Sequence, residues 1–116
     1  MLNDVEIRRA HENLKVGDGV TVNLYSDSHA YTVIKRTPAT ITIQQDKATL
    51  DPAFKPVFVE GGFAGHCVNQ HEQKYTYERD EHGEILTLRY SKKLGKFTYL
   101  DKPITIGRHE FYDYNF

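Results

Sequence analysis

Tryptophan is absent from this chain, and cysteine and methionine occur once each. The lone Cys67 can close no internal disulfide, so cysteine usage points to a reducing compartment, a cytoplasm. No apolar run is long enough to cross a membrane. The N-terminus, Met1-Leu2-Asn3-Asp4, has no basic segment followed by an apolar one, which predicts no signal peptide. Neither sign of charge is in excess: 15 basic and 16 acidic residues leave a formal net of −1. Such a balance argues against reliance on non-specific attraction to phosphate, which needs a basic face. Paired Cys-x-x-Cys spacing is missing, and Gly61, Gly62 and Gly65 stand outside any strand-to-helix context, so a phosphate-cradling loop is a poor reading.

At 116 residues with 39% hydrophobic content, the chain reads as a single domain, 1–116, able to bury a core without disulfide or obligatory metal. Eight tyrosines and six phenylalanines suit half-exposed sheet positions and interfaces. Six histidines would carry the formal charge from −1 to +5 if all were protonated, so surface behaviour should change as pH falls from neutral.

Residues 17–45 hold the strongest pattern. Val20, Val22 and Leu24 alternate with Thr21 and Asn23, Tyr31 and Val33 with Thr32 and Ile34, and Ala39, Ile41 and Ile43 with Thr40 and Thr42. Period-two alternation of β-branched residues predicts consecutive strands with one buried face. Asp18-Gly19, Ser26-Asp27-Ser28 and Thr37-Pro38 supply the punctuation. Residues 4–14 read as a short helix capped by Asn3 or Asp4, with Val5, Ile7, Ala10 and Leu14 as its apolar stripe. Residues 44–60, broken by Pro52 and Pro56, read as a loop with a turn of helix near 50–54 and a short strand at 57–59. Residues 74–78 and 84–90 read as a hairpin closed by 79–83. Strands at 97–99 and around Ile104 and Ile106 follow. The tail, 108–116, carries Phe111, Tyr112, Tyr114 and Phe116 and should fold back on the rest. The sum is a mainly β fold: a small SH3-like barrel or roll of six to seven short strands, with an N-terminal helix and a packed aromatic tail.

His66-Cys67 with His71 is the densest group of metal-binding residue types. Zinc takes thiolate and imidazole in tetrahedral sets, so further ligands would have to come from His29, or from His109 with Asp113. The candidate zinc set is thus His29, His66, Cys67 and His109. The plainer account is solvated loop histidines and a buried inert thiol. Two histidines brought together would also suit general acid–base chemistry, but no nucleophile or oxyanion arrangement stands beside them. Cys67 lacks the surroundings of a catalytic nucleophile. Lys35-Arg36 with Lys47, and Lys92-Lys93 with Lys96, are small basic groups near aromatics, where bases could stack; at this overall charge, solvated strand ends explain them better.

Four runs carry a resemblance: VGDG (16–19), SDSHAYTVIKRT (26–37), QQDKATL (44–50) and GRHEFYDYNF (107–116). They resemble a family of small proteins of bacteriophages and integrated mobile elements, largely without assigned chemistry. The resemblance spans most of the chain beyond the first helix. It implies an intracellular role in a bacterial host and carries over no catalytic residue. Small phage proteins of this size include anti-CRISPR inhibitors, which bind a host nuclease instead of performing chemistry, and the chain looks compatible with an inhibitor of the type II RNA-guided nuclease. The expected function is therefore protein binding to a bacterial host protein, with Lys35, Arg36, Tyr75 and Tyr77 as partner-facing residues and zinc as an optional stabiliser. A nucleic-acid-binding module using Lys35, Arg36 and the tyrosines is the second class, and a small histidine- or metal-dependent hydrolase the third.

Overall fold

The computed structural model describes residues 2–61 and 64–115. It is mainly β: an N-terminal helix and a nearly closed, barrel-like sheet. Helix α1 (Asp4–Glu12) starts where Asn3 Oδ1 accepts the Glu6 amide at 2.9 Å, and its acidic first turn and basic last turn oppose the backbone dipole. Strands β1 (Gly19–Asn23), β2 (Ser28–Arg36) and β3 (Thr40–Gln45) form the expected meander, one residue short of Leu24 at the first turn.

Beyond β3 come β4 (Lys47–Leu50), β5 (Phe58–Gly61), β6 (Ala64–Cys67), β7 (Tyr75–Glu78), β8 (Ile85–Ser91), β9 (Lys96–Tyr99), β10 (Lys102–Pro103) and β11 (Thr105–Ile106). The seven-stranded sheet runs β10-β9-β8-β3-β2-β1-β11. Only Ile104 separates its two edge strands, so one bent segment pairs with β9 on one side and β1 on the other. The bend nearly seals the roll, and Ile104 drops into the core, 3% exposed. Closure of this kind removes the open edges that would otherwise template aggregation. Inside lie Val20, Val22, Tyr31, Val33, Ile41, Ile43, Leu88 and Phe97.

Sequence and structure part over residues 46–84. The loop expected at 44–60 holds β4, and near 50–54 there is a single turn closed by Phe54 N–H on the Asp51 carbonyl, without a helix. The expected hairpin of 74–78 with 84–90 does not form. β8 pairs with β3, and β7 pairs with β4. Both strands form at the expected positions but with other partners, because β4–β7 continues the β3–β8 ladder past a kink at Asp46 and 79–83. Gly83 is required there, since a Cβ at that position would collide with the Gln45 carbonyl. With the β5–β6 hairpin at its end, this excursion is an arm that stretches the molecule to 50 × 31 × 24 Å. The glycine-rich stretch 61–65 falls partly outside the described residues.

The helix closes the barrel end opposite the arm with most of the expected stripe, Leu14 in the core and Ile7 and Ala10 half-buried. Val5 is 57% exposed, whereas His11 is 1% exposed. The His11 ring stacks on Phe97 at 6.3 Å, and Nδ1 accepts the Phe97 amide at 3.0 Å. Burial, aided by the Lys96 charge, lowers the His11 pKa from 6.5 to about 4. The folded protein therefore holds this ring neutral while the unfolded chain protonates it. Stability is free of that penalty above pH 6.5 and declines as pH falls from 6.5 towards 4, by up to roughly 1.4 kcal/mol per pH unit. Urea midpoints measured by circular dichroism at neutral and mildly acidic pH should show this slope, and His11→Gln should flatten it. An unchanged slope in the variant would contradict the assignment.

Candidate functional site

The arm is held by the tail, and the joint is ionic. Asp46 sits at the kink between β3 and β4 with its side chain 1% exposed. Arg108, just past the barrel's closing segment, donates Nε to Asp46 Oδ2 at 2.8 Å and Nη2 to Thr32 Oγ1 at 2.8 Å. Thr32 in turn donates to Asp46 Oδ1 at 2.6 Å. Arg79, from the other arm strand connection, reaches 4.0 Å from Oδ1 and donates to Gln44 Oε1 at 3.1 Å. A charge removed from water this completely is tolerated only when paired and hydrogen-bonded.

From Arg108 the tail runs along the arm. Phe111 bridges to Ser28, Glu110 N–H donates to the Tyr77 hydroxyl at 3.0 Å, and Gln73 Oε1 accepts the Tyr112 amide at 3.1 Å. Asn115 accepts the Cys67 amide at 2.7 Å and returns a bond to the Cys67 carbonyl at 2.9 Å. Tyr114 packs against Phe54, Phe58 and Tyr112 at 6.0, 6.3 and 4.8 Å between centroids. The expected fold-back of the tail is present over 108–115, and Phe116 lies outside the described residues.

The candidate zinc ligands are scattered through these contacts. His29 Nδ1 meets Glu110 Oε2 at 2.8 Å, and the other oxygen of Glu110 accepts the Ala30 amide at 2.8 Å. His109 turns its Nε2 to the Ile106 carbonyl at 3.2 Å. Cys67 is buried with its Sγ donating to Asn69 Oδ1 at 3.4 Å, while adjacent His66 projects from the opposite face of β6. Among the described residues, no group of three or more His, Cys, Asp or Glu side chains is placed to hold a metal ion. Zinc would need a tetrahedral set that these positions do not offer.

The partner-facing set is divided too. Lys35 is exposed. Arg36 is not a surface cation: the register shift between Val33 and Lys35 puts it opposite Ile41, on the core side of β2. There its guanidinium lies 4.7 Å over the Phe97 ring and donates to the Glu12 carbonyl at 3.0 Å, tying the helix to the barrel. Tyr75 bonds Gln73 through its hydroxyl, and Tyr77 holds Glu110, so both are half-buried parts of the tail clamp. These tyrosines and His29 are brought together, but by the tail.

What the residue-type search passed over is the outward face of the β5–β6 hairpin. Phe58 is opposite Cys67 on the face that meets Tyr114 of the tail, where Cys67 is buried and Phe58 stays 55% exposed; Val59 is opposite His66 on the other face. Val57 and Val68, joined by the Val68 N–H to Val57 carbonyl bond at 3.0 Å, extend that outer face. Val57, Val59 and Val68 are 49, 51 and 47% exposed. The spacing Val57-x-Val59 with His66-x-Val68 was its signal, an alternation with apolar residues on the solvent side. Each strand of this hairpin pairs only with the other among the described residues.

No family model, curated protein or solved structure matches this chain. Among the described residues, no helix is long and apolar enough to cross a membrane.

Replacing Arg108 by Met should destabilise the protein by about 3–5 kcal/mol, the cost of stranding a buried carboxylate, while Asp46→Asn with Arg108→Met should recover part of it. Chemical denaturation of the two variants measures this, and a near-neutral Arg108→Met would contradict the ion-pair account. The Glu110 hydrogen bond, reinforced by the charges of Glu110, Asp27 and Glu84, raises the His29 pKa above 6.5 despite partial burial. His29 thus stabilises the fold fully below pH 6.5, and that contribution is lost as pH rises through the raised value. In an NMR titration, Glu110→Gln should bring the His29 midpoint down towards 6.5; an unmoved midpoint would sink the pairing.

Proposed function

We propose that this chain is a protein-binding module that docks through the outer face of its β5–β6 hairpin, and that its partner is a bacterial defence nuclease, the type II RNA-guided enzyme, which it inhibits by contact. The observation that carries the binding reading is the exposed face of Val57, Val59 and Val68 around His66, on a hairpin propped by the clamped tail. β-branched side chains favour strands because they pack against neighbours, and among the described residues Val57, Val59 and Val68 remain about half exposed on this face. The tail's Asn115 takes the edge groups of Cys67 on β6, so a partner strand would add along β5, with main-chain bonds giving affinity and the valines giving specificity. The nuclease rests on the sequence's resemblance to small phage-borne proteins.

Protein is favoured over nucleic acid as the partner for a stated reason. Of the cationic and aromatic residues expected to meet phosphate and bases, Arg36 stacks inside the barrel and both tyrosine hydroxyls are engaged. An apolar contact is also insensitive to salt, whereas phosphate recognition weakens steeply with it.

Val59→Glu combined with Val57→Ser should abolish capture of the type II effector by the purified protein and restore its activity in cells. The melting temperature should stay within the range of a surface substitution. Binding by the wild type should persist as salt is raised. Retention of capture by the double variant would overturn the docking face. Failure of the wild type to bind the effector at all would overturn the choice of partner, and binding that collapses with salt would favour nucleic acid.

A further inference from the structure

At the barrel end away from the arm, a cavity of about 380 Å³ opens between α1 and the closing segment. Its walls include Leu2, Ile7, Pro103, Ile104 and Ile106, with Lys96, His11 and Thr105 as the polar groups, the Thr105 hydroxyl already accepting from Asn23. His11 is 1% exposed, yet one side of its ring faces a task other than holding Phe97. Nδ1 is occupied as the acceptor of the Phe97 amide, so the proton of the neutral imidazole resides on Nε2. No described residue accepts that N–H, which leaves it as the donor the ring can offer to the cavity. The ring stays neutral through the physiological range, its pKa lowered to about 4, so this tautomer is permanent there. Lys96 contributes an ammonium close enough to influence His11, and no carboxylate among the described residues pairs with it.

An apolar trough ending in a cation and an uncommitted N–H has a defined chemical complement. We propose that this cavity binds a short aliphatic carboxylate, its chain along Ile7, Pro103, Ile104 and Ile106 and its oxygens shared between the Lys96 ammonium and His11 Nε2–H. The carboxylate would accept the Nε2–H and neutralise a cation at once, the charge-assisted arrangement that is stronger than neutral hydrogen bonding. The chain would cover the half-buried surfaces of Ile7 and Ile106 that now face water. Pockets of this kind, mostly apolar with few polar groups that set orientation, are the usual form of small-molecule sites. The site is at the far end of the barrel from the hairpin face and depends on none of its residues.

Titration of the whole protein with sodium butanoate, hexanoate and octanoate at fixed ionic strength, followed by calorimetry and by amide and imidazole NMR shifts, tests this. Saturable one-site binding is expected, tightening roughly fourfold per added methylene, with shifts confined to α1, Lys96 and 103–106. Hexanol and hexanamide should bind roughly tenfold more weakly or worse, and Lys96→Gln should weaken hexanoate to a similar degree. Ile7→Trp, which fills the trough from the exposed helix, should abolish binding while circular dichroism stays unchanged. The proposal is overturned by absence of saturation in the wild type at millimolar ligand, by hexanol binding as well as hexanoate, or by full affinity in Lys96→Gln.

Discussion

The Asp46–Arg108 pair sits where three parts of the chain would otherwise separate: the barrel, the arm that leaves it after β3, and the tail that follows the closing segment. A carboxylate 1% exposed at a backbone kink is costly on its own, and Arg108 is the residue that answers it from 62 positions away. Once Arg108 is fixed, the tail has a starting point and a direction. Glu110, Tyr112, Tyr114 and Asn115 then find the backbone amides, rings and carbonyls of the arm in order. The arm gains the contacts that two short pairs of strands could not supply alone, since an isolated hairpin is marginal in water.

This arrangement explains how a small chain can hold apolar side chains out in solvent. The tail holds the β5–β6 hairpin through the Asn115 bonds to buried Cys67 and the edge-on contact of Tyr114 with Phe58, so the strands keep their register and the outer valines are presented on a fixed surface. Rigid presentation matters because ordering a binding segment at the moment of contact costs affinity. At the other end of the molecule, His11 and Arg36 perform a comparable service for the helix, one accepting the Phe97 amide and the other covering the Phe97 ring.

Much of the barrel was legible in the sequence because its signal is local. Alternation picks out Val20, Val22, Tyr31, Val33, Ile41 and Ile43 as core within a few residues. It does not show that Leu24 and Ala39 are exposed, or that the tail buries Thr21 and Thr32 on the other face. The aromatic tail was legible as a packing element for a similar reason. Arg36 was not, since one register irregularity after Val33 reverses the facing of everything beyond it. His11 was not, because a polar residue on a helix's inner face looks like a break in the stripe. The Asp46–Arg108 pair and the β4–β7 pairing were invisible for a different reason: they join residues far apart in sequence, and no periodicity reports on such partners. Of the candidate zinc set, His29, Cys67 and His109 each bond a nearer neighbour, and His66 lies exposed on the opposite face of β6 from Cys67.

Native-state hydrogen exchange at the amides of Cys67, Tyr112, Tyr114 and Asn115 tests most directly whether tail, arm and barrel form one unit. The account predicts protection close to that of the barrel strands β2 and β3, lost together at a single denaturant concentration. Exchange of these amides at the rate of an unstructured peptide, while β2 and β3 remain protected, would contradict it.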